Sequence, residues 1–210
     1  MDDEYAWPKP GMSLFETTNP HDWRANACMP YQPDWVLYQS GYQLAAELLM
    51  AHTASGKDQD LLIYPILFNA RQAIELGLKE TIRLGNRLLN RDGPYPKRHE
   101  LTPLWQMAKG LLAEAASVHD PEALDEEATG AFEELIKALN TVDPGSFTFR
   151  YPTDQNDRPS FDAEDGIVPN QINTRDLNHT LSAMFNYLTG TTEWLANIIH
   201  TLQDMQSYSY

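Results

Sequence analysis

The chain has 210 residues, of which 30 are Asp or Glu and 15 are Lys or Arg, for a formal net charge of −15. That length is enough for one domain with a real core, while the negative field repels phosphate backbones and removes the main driving term of non-specific nucleic-acid binding. One cysteine, Cys28, excludes an intrachain disulfide and suits a reducing cytoplasm. The acidic, polar start MDDEYAWPKPGM is unlike a secretory leader, and no run reaches the ~20 apolar residues of a membrane span. A soluble cytoplasmic protein is expected, with a basic partner or self-association favoured by the charge.

Residues 1–34 (WPKPGM, TTNPHDWRANACMPYQPDW) are rich in Pro, Trp, Asn and Asp and show no period. The prolines forbid a long helix or a central strand. Tyr5, Trp7, Phe15, Trp23 and Tyr31 argue against pure disorder. The expectation is an irregular aromatic arm packed on the domain that follows or on a partner.

Asp34 is placed to cap a helix running to about Thr53, with Leu37, Tyr38, Leu44, Ala45, Leu48 and Leu49 inward. Ser55–Gly56 ends it. The next helix, capped by Asp60 and with Pro65 near its first turn, runs over Leu61–Asn90 and is the longest helical signal in the chain. Ile63, Leu67, Ala70, Ile74, Leu78 and Ile82 recur at three- and four-residue steps. Leu62, Leu76, Leu84 and Leu88 widen that face, so the helix is expected at the centre, covered on several sides. Set into it are Arg71, Glu75 and Lys79, whose i, i+4, i+8 spacing stacks them on one side. Exposed, such a pair is worth only ~0.2–0.5 kcal/mol. Buried, the row needs further partners, and it reads equally as a structural polar network or as a functional surface.

RDGPYPKR (91–98) is a turn on its Gly and Pro content, and a third helix starts at about Leu101 with Leu104, Trp105, Ala108, Leu111 and Leu112 inward. Asp120–Pro121 reads as the start of a fourth helix reaching about Thr141, with Leu124, Ala128, Phe132, Leu135, Ile136 and Leu139 inward. Glu122, Asp125, Glu126, Glu127, Glu133 and Glu134 read as its solvated face. Asp143–Pro144–Gly145 breaks the chain, SFTFRY reads as a short strand or extended segment, and residues 152–172 read as a long polar loop, functional or mobile. A last helix spans about Thr174–Met205 with Leu177, Leu181, Met184, Leu188, Leu195, Ile198, Ile199 and Leu202 as its stripe. The fold class expected is all-α, a bundle of four to five helices over residues 35–205.

The six histidines are scattered, with no HExxH and no CxxC, so no metal site is expected. No GxxxxGK or GxGxxG loop is present, and no cofactor is expected. Cys28 reads as an inert thiol in the arm. His99 opens HELTPLW, where it either orients the third helix or transfers protons. Arg150–Tyr151 precede Pro152, and an arginine there is placed to reach the Arg71/Glu75/Lys79 row or to bind an anion.

RQAIELGLKE followed by His99–Glu100–Leu101 and Leu104–Trp105 resembles the HEPN domain (higher eukaryotes and prokaryotes nucleotide-binding). Gln72, Ala73, Glu75, Leu78, Lys79, Ile82, His99, Leu101 and Leu104 fall on its pattern. GYQLAAELL, LIYPILFNARQAIELGLKE, HELTPLW and SFTFRYPTD look like a bacterial HEPN-like branch, over roughly residues 35–200. The resemblance implies a helical bundle that pairs as a homodimer, with relatives that include RNA-cutting toxins, defence effectors and nucleotide binders. Family ribonucleases carry Arg, then four to six intervening residues, then His near the start of the last core helix, where two subunits face one phosphate. This chain has only three residues between Arg175 and His179, and Asp176 sits beside the arginine. Solvent-facing residues on a first helical turn are the plainer reading.

The expected function is a HEPN-like protein that acts by partner, nucleotide or RNA binding, within a bacterial toxin–antitoxin or phage-defence system, without robust catalysis alone. The binding residues expected are Arg71, Glu75, Lys79, His99, Arg150 and Tyr151. A metal-independent endoribonuclease is the alternative, with a composite site of Arg175 and His179, or of Arg71, His99 and Arg150, at a dimer interface. An acidic inhibitor of a basic effector is the third reading.

Overall fold

Apolar residues at helical spacing build five helices among the described residues of the computed structural model, which are 7–15, 19, 21–29, 32, 35–93, 96–154, 156–161 and 171–207. They are α1 (Trp35–Thr53), α2 (Gln59–Leu88), α3 (Leu101–His119), α4 (Glu126–Val142) and α5 (Thr174–Ser207). The chain divides into two units, Met1–Asp34 and Trp35–Tyr210. The described residues of the first hold neither helix nor strand. Their order is local: Asn26 Nδ2 donates to the Asn19 carbonyl at 2.7 Å, and the Arg24 guanidinium lies 5.2 Å from the Trp23 ring centroid. Tyr5, Tyr31 and Asp34, with the cap expected of it, lie outside the described residues.

The second unit is an all-α bundle built on α2, which packs against α1, α3 and α5, while α3 also packs on α4. From Ala70 to Ile82 every residue of α2 is buried except Gln72, which is half-buried. Close approach on two sides requires glycine. A Cβ on Gly85 would stand 2.8 Å from Leu111 Cβ of α3. One on Gly77 would stand 3.0 Å from Gln39 Nε2 of α1 and 3.1 Å from Leu188 Cδ1 of α5. Among the described residues no helix is long and apolar enough to cross a membrane.

Several sequence expectations need correcting. Gln39, Ala46, Met50 and Thr53 form the buried face of α1, whereas Leu37, Tyr38, Leu44 and Leu48 are exposed. The helix is apolar nearly all round, so spacing alone could not choose its inner face. The helix after α1 starts at Gln59 rather than after Asp60, behind Asp58 in a left-handed conformation, which puts Pro65 in the second turn. Its far end closes with Asn90 left-handed (φ 53°), and Arg91 N donates to the Asn86 carbonyl at 2.8 Å.

The fourth helix starts at Glu126, not at Asp120. Asp120 instead closes a local turn, accepting from Glu122 N, and Asp125 is the true N-cap, accepting from Ala128 N at 2.9 Å. SFTFRY is neither strand nor extended. Arg150 N and Tyr151 N both donate back to the Phe147 carbonyl, at 3.0 and 3.3 Å, which makes the segment a tight turn. The described start of the 152–172 loop is a small closed hairpin, with one bridge between Thr153 and Pro159 and an Asp154 N to Arg158 carbonyl bond of 2.8 Å.

Candidate functional site

Three turns of α2 present Arg71, Glu75 and Lys79 to the same side, and the burial of α2 takes all three out of water. Burying an unpaired charge is expensive, so each must find partners inside. Glu75 supplies most of them. Its Oε2 accepts from Arg71 NH1 at 3.0 Å, and its Oε1 accepts from Lys79 Nζ at 2.8 Å and is 2.8 Å from His99 Nδ1. Burial pushes the Glu75 carboxyl up, but the hydrogen bonds from Lys79, His99 and Arg71 and the Lys79 charge outweigh it and hold the group below its ordinary 4.5. Glu75 is therefore a carboxylate at neutral pH, and His99 Nδ1 carries the proton that bonds to it.

Arg71 extends the network to two loops. Its Nε donates to the Asp143 carbonyl at 3.0 Å and lies 3.3 Å from Asp143 Oδ2. Its NH2 donates to the His99 carbonyl at 2.8 Å and approaches that of Pro144 at 3.5 Å. One guanidinium thus holds the segment leading into α3 beside the turn that leaves α4. Asp143 continues the chain of contacts, with Oδ1 accepting from Phe147 N at 2.7 Å and Thr148 N at 3.1 Å. Its Oδ2 is buried without a hydrogen bond. In charge the buried set balances: Arg71 and Lys79 against Glu75 and Asp143.

Two groups on this framework face solvent. His99 has a side chain 63% exposed, and its Nε2 makes no hydrogen bond among the described residues. Arg150 does not join the Arg71 row, as the sequence had allowed. Its Nε donates to the Ser146 carbonyl at 2.7 Å, and its guanidinium carbon lies 4.6 Å from the Phe147 ring centroid, 5.4 Å from Tyr151 and 5.9 Å from Phe68. Phe147, Arg150 and Tyr151 are all exposed side chains of the turn that Asp143 pins.

Arg175 and His179 stand elsewhere. Both are exposed on the first turns of α5, whose N-terminus is capped by Asn173 Oδ1 accepting from Arg175 N at 3.0 Å and Asp176 N at 3.3 Å. Neither side chain takes part in the network around Glu75. Among the described residues no group of three or more His, Cys, Asp or Glu side chains is arranged to hold a metal ion.

Sequence reasoning missed three polar residues with structural roles. Asp143 read only as a chain break, although an Asp before Pro-Gly is a usual start for a side-chain-closed turn. Asn140 of α4 caps α3 from outside, its Oδ1 accepting from Leu101 N at 2.7 Å and Thr102 N at 3.3 Å. Glu133, read as solvated, ties α4 to α3. Hydrogen bonds from Lys109, Lys137 and Trp105 hold its carboxyl down to about 2. No local pattern marks the tie these last two make to α3, because Leu101, Thr102, Trp105 and Lys109 lie on that other helix. No family model, curated protein or solved structure matches the chain.

Proposed function

We propose that the chain is a HEPN-like binding module that engages a nucleotide or RNA through the surface formed by His99 and the turn carrying Arg150 and Tyr151, without cutting RNA by itself. One observation carries this reading. The buried cations Arg71 and Lys79 are engaged by Glu75 and Asp143, so they hold the fold and are not free to stabilise charge on a reacting phosphate. What remains for a ligand is an imidazole nitrogen and a guanidinium, each fixed by a bond from its other end. The resemblance extends the proposal to a component of a bacterial toxin–antitoxin or phage-defence system. It also extends to a homodimer, which the exposed Tyr38, Leu44 and Leu48 of α1 support.

A second reading has a specific observation behind it. A carboxylate on Nδ1 fixes the tautomer that leaves Nε2 as an exposed acceptor, and that is the arrangement a general base needs to deprotonate a ribose 2′-OH. Incubation of the purified protein with total RNA decides between the two, beside His99→Ala, Arg150→Ala, Arg175→Ala and His179→Ala. The expected result is intact RNA throughout, with nucleotide or RNA binding that His99→Ala weakens. Cleavage by wild type that His99→Ala abolishes would make the protein a ribonuclease centred on the Glu75–His99 pair. Cleavage lost in both Arg175→Ala and His179→Ala would move the chemistry to α5.

A further inference from the structure

Arg150 is set among rings rather than carboxylates. Acidic residues outnumber basic ones by 30 to 15, yet its guanidinium makes no ion pair among the described residues. Its contacts are aromatic. The guanidinium carbon and the centroids of Phe147 and Tyr151 form a compact triangle with sides of 4.6, 5.4 and 6.0 Å. The two rings are inclined by only 29°, and about half of each is open to solvent. Nε is spent on the Ser146 carbonyl, which fixes the guanidinium plane, and NH1 and NH2 make no hydrogen bond among the described residues.

The platform beneath is stiff. Ser146 takes a left-handed backbone (φ 63°) that turns the chain sharply, and Asp143 Oδ1 grips the next two amides. Asp143 is itself held by Arg71. A guanidinium pinned in this way presents a ready fork of donors, the geometry that suits a phosphate. Flat aromatic faces beside it stack on any nucleobase, because every base has a π-face. A carboxylate ligand would use the fork and leave both rings idle.

We propose that the solvent face of the 146–151 turn is a nucleotide site, in which Arg150 holds the phosphate and Phe147 and Tyr151 carry the base. This rests on the nucleotide-binding reading above and narrows it to one nucleotide unit. A single arginine on a body of charge −15 gives no track for a long strand. The unit is either a free mononucleotide or one residue of a single strand.

Titration calorimetry on the full chain tests this with AMP, adenosine, inorganic phosphate and a short single-stranded RNA. Arg150→Gln, Arg150→Lys and Tyr151→Ala are titrated in parallel, with circular dichroism melts to establish that each folds. AMP is expected to bind more tightly than adenosine or phosphate, and Arg150→Gln and Tyr151→Ala are each expected to weaken it about tenfold. Arg150→Lys should recover only part of the loss, because it restores charge but not the fork. If RNA binds and AMP does not, with the same sensitivity to Arg150→Gln, the unit belongs to a strand and the site stands. AMP and phosphate binding equally would overturn the stacking role. Unchanged affinity in the folded variants, with loss in His99→Ala, would overturn this site while leaving the binding-module reading intact. No binding of AMP or RNA by wild type would overturn both.

Discussion

Replacing Glu75 by alanine removes the acceptor that three cationic or donor groups share. Arg71 NH1 at 3.0 Å, Lys79 Nζ at 2.8 Å and His99 Nδ1 at 2.8 Å all lose it together. The solvent-exposed His99 can turn to water. Arg71 cannot, because it is fully buried and among the described residues keeps only Asp143 as a counter-charge, at 3.3 Å. Breaking a buried pair from one side leaves an uncompensated charge and costs about 3–5 kcal/mol. At roughly 2–4 °C per kcal/mol for a domain of this size, the melting temperature should fall by about 6–20 °C. Glu114→Ala is the control, since its pair with Arg91 is about half exposed on both sides and should cost under ~1 kcal/mol. Thermal and urea melts followed by circular dichroism measure both. If Glu75→Ala melts within about 2 °C of wild type, like the control, the row does not hold the fold and the whole account of the site fails.

Acid should unfold the protein in a characteristic window. Glu75 is held below 4.5 in the folded state and Glu133 at about 2, so on acidification the unfolded chain takes up protons first. Their stabilisation is therefore complete above about 4.5 and is lost as pH falls toward 2, which urea midpoints measured between pH 7 and 3 will trace. Gly85→Ala puts a Cβ 2.8 Å from Leu111 Cβ and should destabilise by about 1–3 kcal/mol, whereas Gly190→Ala meets nothing within 4 Å and should stabilise by up to about 1 kcal/mol. A Gly85→Ala melt at or above wild type would refute the close approach of α2 and α3. Asn140→Ala should cost about 1 kcal/mol by leaving the Leu101 and Thr102 amides uncapped, and an unchanged midpoint would show that water replaces the cap. Light scattering at micromolar concentration should report twice the chain mass, and a clean monomer would refute the homodimer.

The sequence made α2 legible because its apolar residues repeat through eight turns, and the same regularity put Arg71, Glu75 and Lys79 on one side. It could not say whether that side was wet. Burial there depends on α1, α3 and α5 arriving from distant parts of the chain. Asp143, 72 residues beyond Arg71, has no local spacing that ties it to the row. The inner face of α1 is hidden from its own sequence for a different reason. Gln39 turns inward because Gly77 leaves a slot for its amide, and that slot is a property of α2, not of α1. At α4, Asp120 and Asp125 are both competent caps by residue type. The choice between them falls to the turn that Glu122 N and Ala123 N close on Asp120.

The arrangement separates holding from contact. Arg71, Glu75, Lys79 and Asp143 are buried and bond to one another, so a change at any of them alters the fold before it alters binding. His99 is bonded to Glu75 of that set, Arg150 is bonded to the Ser146 carbonyl of the turn that Asp143 pins, and both are exposed at the other end. The two ends meet on a single atom. Arg71 NH2 touches the His99 carbonyl and the Pro144 carbonyl, so the backbones that carry the imidazole and the 146–151 turn are fixed within the sum of 2.8 and 3.5 Å of each other. Preorganisation of this kind lowers the cost of ordering side chains when a ligand arrives. It follows that His99→Ala and Arg150→Gln should leave the melting temperature nearly unchanged while affecting the ligand. Arg71→Ala should damage both together, since it releases the segment before α3 from the turn after α4.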